Sequence, residues 1–249
     1  VSLGGATILT MNMFTNMDTV VAAQLGVTGL DSFTLIAIPY FILAGELMST
    51  GGISRRIVNM AHCFVKNLAG GLAIITTCAC TFFAAISGSG PATVSAIGSM
   101  MIPEMEKEKY DKAWATAITC CGGIIGVIIP PSIPFVIYGI ATQTNISDLF
   151  IAGFGPGILI GVLLIVVAKR ISKKKGYQPP RPKATGKEKL AAINEAKWAL
   201  IMPIIILGGI YGGIFTPTEA AGVACVYGLF VGFVVYRELS LKKLFEIMK

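Results

Sequence analysis

Apolar blocks close to the ~20 residues needed to cross a bilayer recur along the chain from Val1 to Tyr236. Backbone groups in lipid must pair within the chain, so spanning segments are helices or closed barrels. A barrel shows short segments of alternating polarity, and none are visible. The sequence therefore predicts an all-α, multi-pass integral membrane protein lodged in a lipid bilayer. A mean hydropathy of +0.76, with 13% charged residues, fits that class. The net charge of +7 raises nucleic acid as a partner. However, ten of the twenty Lys and Arg residues lie between Lys169 and Lys197, beside apolar spans. Such a cluster marks a cytoplasmic loop, so no nucleic-acid partner is expected. The six cysteines lack metal-ligand spacing. Most sit in apolar runs, where a thiol behaves as a small hydrophobe, and no disulfide is expected.

Charge and length set the topology. With residues 169–197 in the cytoplasm, the block at roughly 149–168 runs inward and that at roughly 198–214 runs outward. The block at roughly 220–236 returns to the cytoplasm at "RELSLKK". Backward from the loop, residues 113–141 run outward, so "EMEKEKYDK" at 104–112 is cytoplasmic. The segment with Arg55, Arg56 and Lys66 is cytoplasmic too. Between these two inside segments lie the 33 residues Gly71–Pro103. One span cannot leave both ends on one side, and two need ~40 residues. A re-entrant hairpin is predicted, with helices of about 16 and 12 residues meeting at "SGSGP", Ser87–Pro91. Non-helical backbone at membrane depth is tolerated only inside protein or beside a water-filled cavity.

A second break is predicted in "GGIIGVIIPPSIPFVIYG", residues 122–139. Proline removes a helix hydrogen bond and clashes with an upstream carbonyl. Two adjacent prolines should unwind the chain around Pro130–Ser132, freeing the carbonyls of Ile128 and Ile129 beside the Ser132 hydroxyl. Discontinuous helices at the midplane point to a secondary-transporter binding site.

The ionisable residues offer little else. Thr216, Pro217 and Glu219 fit a capping box with proline at its favoured place. Asp31 reads as a helix N-cap at the outer surface, and Glu46 as a partner of Arg55 or Arg56. The lone histidine, His62, lies on the amphipathic stretch Ile53–Leu68 and reads as an interfacial residue with a partner. General acid–base catalysis needs a positioned donor and acceptor, and no such pair is apparent, so no catalytic residues are predicted.

Several consecutive blocks resemble one family, the large membrane subunit (DctM-like) of tripartite ATP-independent periplasmic (TRAP) transporters. They are "GLDSFTLIAIPYFILAGELMSTGGISRRIV", "ISGSGPATVSAIGSMMIPEMEKEKYD", "GVIIPPSIPFVIYG", "LFIAGFGPGILIG" and "GGIFTPTEAAGVACVYGLFVGFVVYRELSLKKL". The resemblance implies a sodium-coupled importer of organic acid anions, of C4-dicarboxylate or sialic acid type. It would lie in a bacterial or archaeal inner membrane. The implied partners are a small four-helix membrane subunit and a periplasmic substrate-binding protein. The implied fold is an elevator with two inverted repeats. Residues 1–50 would be scaffold helices and 51–70 an arm helix. Residues 71–168 would form a transport domain of hairpin 71–103, broken helix 113–141 and helix 148–168. The basic loop 169–197 would follow, then 198–249 as the start of a second repeat. The family's first helix is expected before Val1, and its second hairpin and second broken helix after Lys249.

With no other cofactor expected, the coupling sodium ion is assigned to Ser87, Gly88, Ser89, Gly90, Ile129, Pro130 and Ser132. Sodium, like other hard cations, takes oxygen ligands. No Asp or Glu occurs between Ala69 and Pro103 or between Lys112 and Asn145, so these would be neutral oxygens. Ser87, Ser89, Pro91, Thr93 and Pro131 are expected to face substrate. One alternative is a sodium-coupled carboxylate symporter working without a binding protein, which shares the hairpin physics. A membrane enzyme would need convergent His, Asp or Glu at depth. A channel would need a continuous polar face along several spans.

Overall fold

The computed structural model describes residues 2–14, 18–65, 70–177 and 185–248. Among the described residues every regular element is helical. Two short helices, α1 (Ser2–Phe14) and α2 (Thr19–Leu30), precede a 3-10 turn at Phe33–Ile36 and α3 (Ala37–Thr50). The amphipathic α4 (Ile53–Val65) leads to α5 (Gly71–Ser87) and α6 (Gly90–Lys107). Next come α7 (Lys112–Ile128), α8 (Ile133–Thr142) and the long α9 (Ile146–Lys174). The chain then forms α10 (Gly186–Tyr211), α11 (Pro217–Phe230) with a π turn at Val231–Val235, and α12 (Leu241–Ile247). Among the described residues five helical stretches are long and apolar enough to span: Phe33–Thr50, Lys112–Thr142, Ile146–Lys174, Gly186–Tyr211 and Pro217–Val235. An all-α membrane protein is what the structure shows.

α5 is the central element. It is buried along most of its length and packs against α4, α6, α7 and α9. α5 and α6 run antiparallel. Thr76 contacts Met105 at the open end (Oγ1 to Sδ 3.6 Å), and Ser87 contacts Thr93 at the closed end (3.2 Å between hydroxyls). Lipid-embedded helices gain little from hydrophobic exclusion and associate through close packing at small residues. α7 does this with one glycine face. A Cβ on Gly122 would stand 2.9 Å from the Cys80 sulfur of α5, and one on Gly123 would strike Val94 of α6. Such a face lets α7 approach both arms of the α5–α6 pair.

Several elements differ from the sequence reading. α6 has 18 residues rather than about 12, because it carries on through Pro103 and the charged "EMEK". α9 continues past Ala168 to Lys174, and α10 begins at Gly186. The basic region is thus largely helical, its connection reduced to 175–185, of which 178–184 lie outside the described residues. The start of α10 is set by a capping box: Thr185 accepts from the Glu188 amide, and Glu188 accepts from the Thr185 amide. Lys66 and Leu68 at the end of the amphipathic stretch also lie outside the described residues.

Two side chains differ too. Asp31 is not an N-cap: it closes α2, its amide donating to the Val27 carbonyl, because the chain restarts in a 3-10 turn before α3. Glu46 is exposed on α3 and does not take the arginines. Glu238 takes both, with one carboxylate oxygen 2.6 Å from Arg55 and 2.8 Å from Arg56. The π turn and the left-handed Arg237 (φ 54°) swing Glu238 back onto the start of α4. His62 stands 3.9 Å from Glu104. The expected capping box at Thr216 and Glu219 is present, with Pro217 opening α11.

Candidate functional site

Both breaks restart the helix in the same way. α5 ends at Ser87, and Gly88 (φ 61°) turns the chain, its amide donating to the Ala84 carbonyl. Ser89 (φ −130°, ψ 122°) then caps α6, accepting from the Ala92 amide at 3.4 Å. At the second break α7 ends at Ile128, and Ile129 (φ −72°, ψ 128°) begins an extended stretch. Ser132 (φ −131°, ψ 120°) caps α8, accepting from the Phe135 amide at 3.4 Å. Each serine is followed two residues later by a proline, in Ser89-Gly90-Pro91 and Ser132-Ile133-Pro134. Serine is a favoured N-cap, and proline in the first turn loses only an amide that has no intrahelical partner.

The two breaks touch. The Ile133 amide donates to the Gly88 carbonyl at 3.2 Å. A Cβ on Gly88 would stand 2.6 Å from the Pro131 carbonyl oxygen. Two helix N-termini, those of α6 and α8, therefore open beside one another. Each carries roughly half a positive charge from its unpaired amides, and such termini favour anions.

Neutral oxygens gather at the α5–α6 tip. Ser87 is fully buried. Its hydroxyl lies 3.2 Å from that of Thr93 and 3.5 Å from the Ser89 carbonyl. Thr93, also fully buried, donates to the Ser89 carbonyl at 2.8 Å. Of the expected site residues, Gly88, Gly90, Ile129, Pro130, Pro131 and Ser132 are buried at the contact, Ser89 is half-buried and Pro91 is exposed. Gly90 packs on the Gly123 carbonyl of α7. The Ser132 hydroxyl donates to the Val127 carbonyl, and the Ile128 carbonyl is turned against Gly153 of α9. The Ile128 carbonyl thus faces α9 and is not left free at the break.

Two supports escaped the sequence reading. Gly126 of α7 lies under the tip, where a Cβ would come within 3.1 Å of the Ser89 carbonyl and 3.0 Å of the Thr93 hydroxyl. Gly157 of α9 similarly admits the Ile129 side chain. A glycine in an apolar run carries no mark of its partner, but the GGxxG spacing of Gly122, Gly123 and Gly126 shows one small-residue face.

An all-helical membrane protein whose two interrupted segments meet through their backbones defines a class, the discontinuous-helix membrane proteins. The particular family follows from comparison: the chain matches the model of the tripartite ATP-independent periplasmic transporter DctM component over residues 1–249 and belongs to that family. It is 48% identical to the isethionate TRAP transporter permease protein DctMQ of Oleidesulfovibrio alaskensis, over 96% of this chain and 38% of that protein. It is 47% identical to the C4-dicarboxylate TRAP transporter large permease protein DctM of Pseudomonas aeruginosa, over 86% of this chain and 50% of the relative. The sialic acid TRAP transporter large permease protein SiaM of Vibrio cholerae is 43% identical, over 92% of this chain and 53% of its own length. The chain thus spans about half the length, or less, of these relatives, which are named as transporter permeases and not as enzymes.

Proposed function

We propose that this chain is part of the permease subunit of a sodium-coupled, binding-protein-dependent transporter that imports organic acid anions across a bacterial or archaeal inner membrane. Its partners would be a small four-helix membrane subunit and a periplasmic substrate-binding protein. The proposed mechanism is an elevator, with α5–α9 moving against a scaffold that includes α3 and α11. The observation that carries this reading is the contact between Gly88 and Ile133. It joins two helix breaks into one polar unit, the kind of site that discontinuous helices form in secondary transporters. Anionic substrates fit two converging helix N-termini. The names of the relatives, which specify isethionate, C4-dicarboxylates and sialic acid, support acid anions as the class.

The proposed sodium ion sits between the tip and the break, taking neutral oxygens from Ser87, Ser89 and the Ser132 segment. Occupancy would pin the two breaks together and so set the shape of the substrate site. The test is uptake by the complete assembly in proteoliposomes, with and without its binding protein and across sodium concentrations. Ser89→Ala and Ser132→Ala should raise the sodium concentration for half-maximal uptake. Unchanged sodium dependence in both, at normal assembly, rejects the ion site. Uptake unaffected by leaving out the binding protein favours the symporter that works alone.

A further inference from the structure

We propose that the cleft between α4, α10 and the end of α11 binds the headgroup of an amine-bearing phospholipid. The cleft, about 500 Å³, is lined by Arg55, Arg56 and Asn59 on one side and by Asn194, Glu195 and Trp198 on the other, with Tyr236 at its end. Its charge is unevenly matched. Arg55 and Arg56 share a single oxygen of Glu238. Arg56 is fixed, bonded to the Gly52 carbonyl at 2.9 Å and lying 3.5 Å over the Tyr236 ring. Among the described residues Arg55 has only the Glu238 contact, and its side chain is 59% exposed. A guanidinium has five donors in a planar fork that matches phosphate oxygens. Most of the Arg55 fork is therefore available, beside the exposed amides of Asn59 and Asn194.

The position of the cleft identifies the source of the phosphate. α10 has no charged residue from Trp198 to Tyr211, and α11 with its π turn has none from Ala220 to Tyr236. Charge begins at Lys197 on one and at Arg237 on the other. The cleft lies where both apolar stretches end, which is headgroup depth, and Trp and Tyr favour that level. Beside it, α12 exposes Leu241 and Phe245 while its Lys243 donates to the Glu238 carbonyl. An apolar face flanked by lysines suits a membrane surface. Glu195 adds a carboxylate on the α10 wall, placed to receive an ammonium while the arginine receives the phosphate. Free phosphate would use the same fork but gain nothing from the part-buried Trp198 and Tyr236 or from Glu195.

The test is native mass spectrometry of the assembled full-length permease, delipidated and then offered phosphatidylethanolamine, phosphatidylglycerol or inorganic phosphate. Phosphatidylethanolamine should be retained in preference to phosphatidylglycerol, and millimolar phosphate should not displace it. Arg55→Gln and Asn194→Leu should each weaken retention, the former about tenfold for one lost charge-assisted contact. Glu195→Gln should keep lipid binding but lose the preference for the amine headgroup. Melting temperatures are read in parallel, and Asn194→Leu, on another helix, carries the test if Arg55→Gln disturbs α4. Equal retention of the two lipids by the unaltered protein overturns the proposal. So does unchanged retention in both variants, or displacement by phosphate.

Discussion

The carbonyl oxygen of Gly88 accepts a hydrogen bond from the amide of Ile133 at 3.2 Å. In a continuous helix that carbonyl would take the amide of Ala92, which instead donates to the Ser89 side chain. Ile133 opens α8, where amides have no intrahelical partner. Each break therefore supplies what the other lacks, across 45 positions of chain. Gly88→Ala should damage both. It forces a side chain into the left-handed region, at about 1–2 kcal/mol, and drives a Cβ to 2.6 Å from the Pro131 carbonyl. The expected outcome is a lower melting temperature and near-complete loss of uptake. Gly155→Ala is the control: nothing lies within 4 Å of its added Cβ, and alanine in a helix interior is favoured by about 1 kcal/mol. It should melt no lower than the unaltered protein.

Thr93→Val tests the tip from inside. The threonine hydroxyl ties Ser87 to the Ser89 carbonyl, at 3.2 and 2.8 Å. Valine keeps the shape and leaves the buried Ser87 hydroxyl with only its long contacts. The cost should be about 1–3 kcal/mol, that of an under-satisfied buried polar group. Thermal stability measured with and without sodium separates the effects. A ligand that binds the folded state raises stability with concentration, so the sodium-dependent rise should shrink in Thr93→Val. An undiminished rise would place the ion away from this hydroxyl.

Glu238→Gln tests the junction of α4 with α11. It removes the one carboxylate shared by Arg55 and Arg56 and leaves the latter, at 18% side-chain exposure, without its charged partner. Arg55 is open to solvent, so its share is discounted for screening, and a net loss of about 1 kcal/mol is expected. Paired with Arg56→Gln in a double-mutant cycle, the melting temperatures should be clearly non-additive. Additive losses would mean the contact stabilises nothing.

Which features could be read from residues alone follows from their range. Both breaks announced themselves locally, because Pro130-Pro131 cannot continue a helix and Ser-x-Pro opens one. The Thr216–Glu219 box was local as well. The Thr185–Glu188 box was equally legible, and reading it would have placed the start of α10 inside the basic region. Length at the membrane face was harder, since "EMEK" and "KRISKK" end an apolar span without ending a helix. The partner of Arg55 was out of reach: Glu46 is nine positions away and exposed, whereas Glu238 is 183 away and arrives through a π turn. That the tip and the Pro-Pro break lie together is expected from their shared oxygen chemistry, but the Ile133 amide that joins them to Gly88 leaves no trace in residue type.

The depth of the α5–α6 tip is the last expectation. α5 and α6 have 17 and 18 residues, each about 25 Å long, which by itself nearly crosses a ~30 Å hydrocarbon core. The tip, however, is bonded to a point inside the Lys112–Thr142 span, after which α8 runs ten further residues, about 15 Å. The tip should therefore stop short of the outer face that the α8–α9 turn reaches. With the six native cysteines replaced, Lys107→Cys, Ala92→Cys and Thr144→Cys are single probes for a bulky, impermeant maleimide. Lys107 and Thr144 are both exposed. Lys107→Cys should react from the cytoplasmic side and Thr144→Cys from the outer side. Ala92→Cys, one turn into α6, should resist the reagent from outside. Labelling of Ala92→Cys from outside at the rate of Thr144→Cys would show two full spans and remove the re-entrant hairpin.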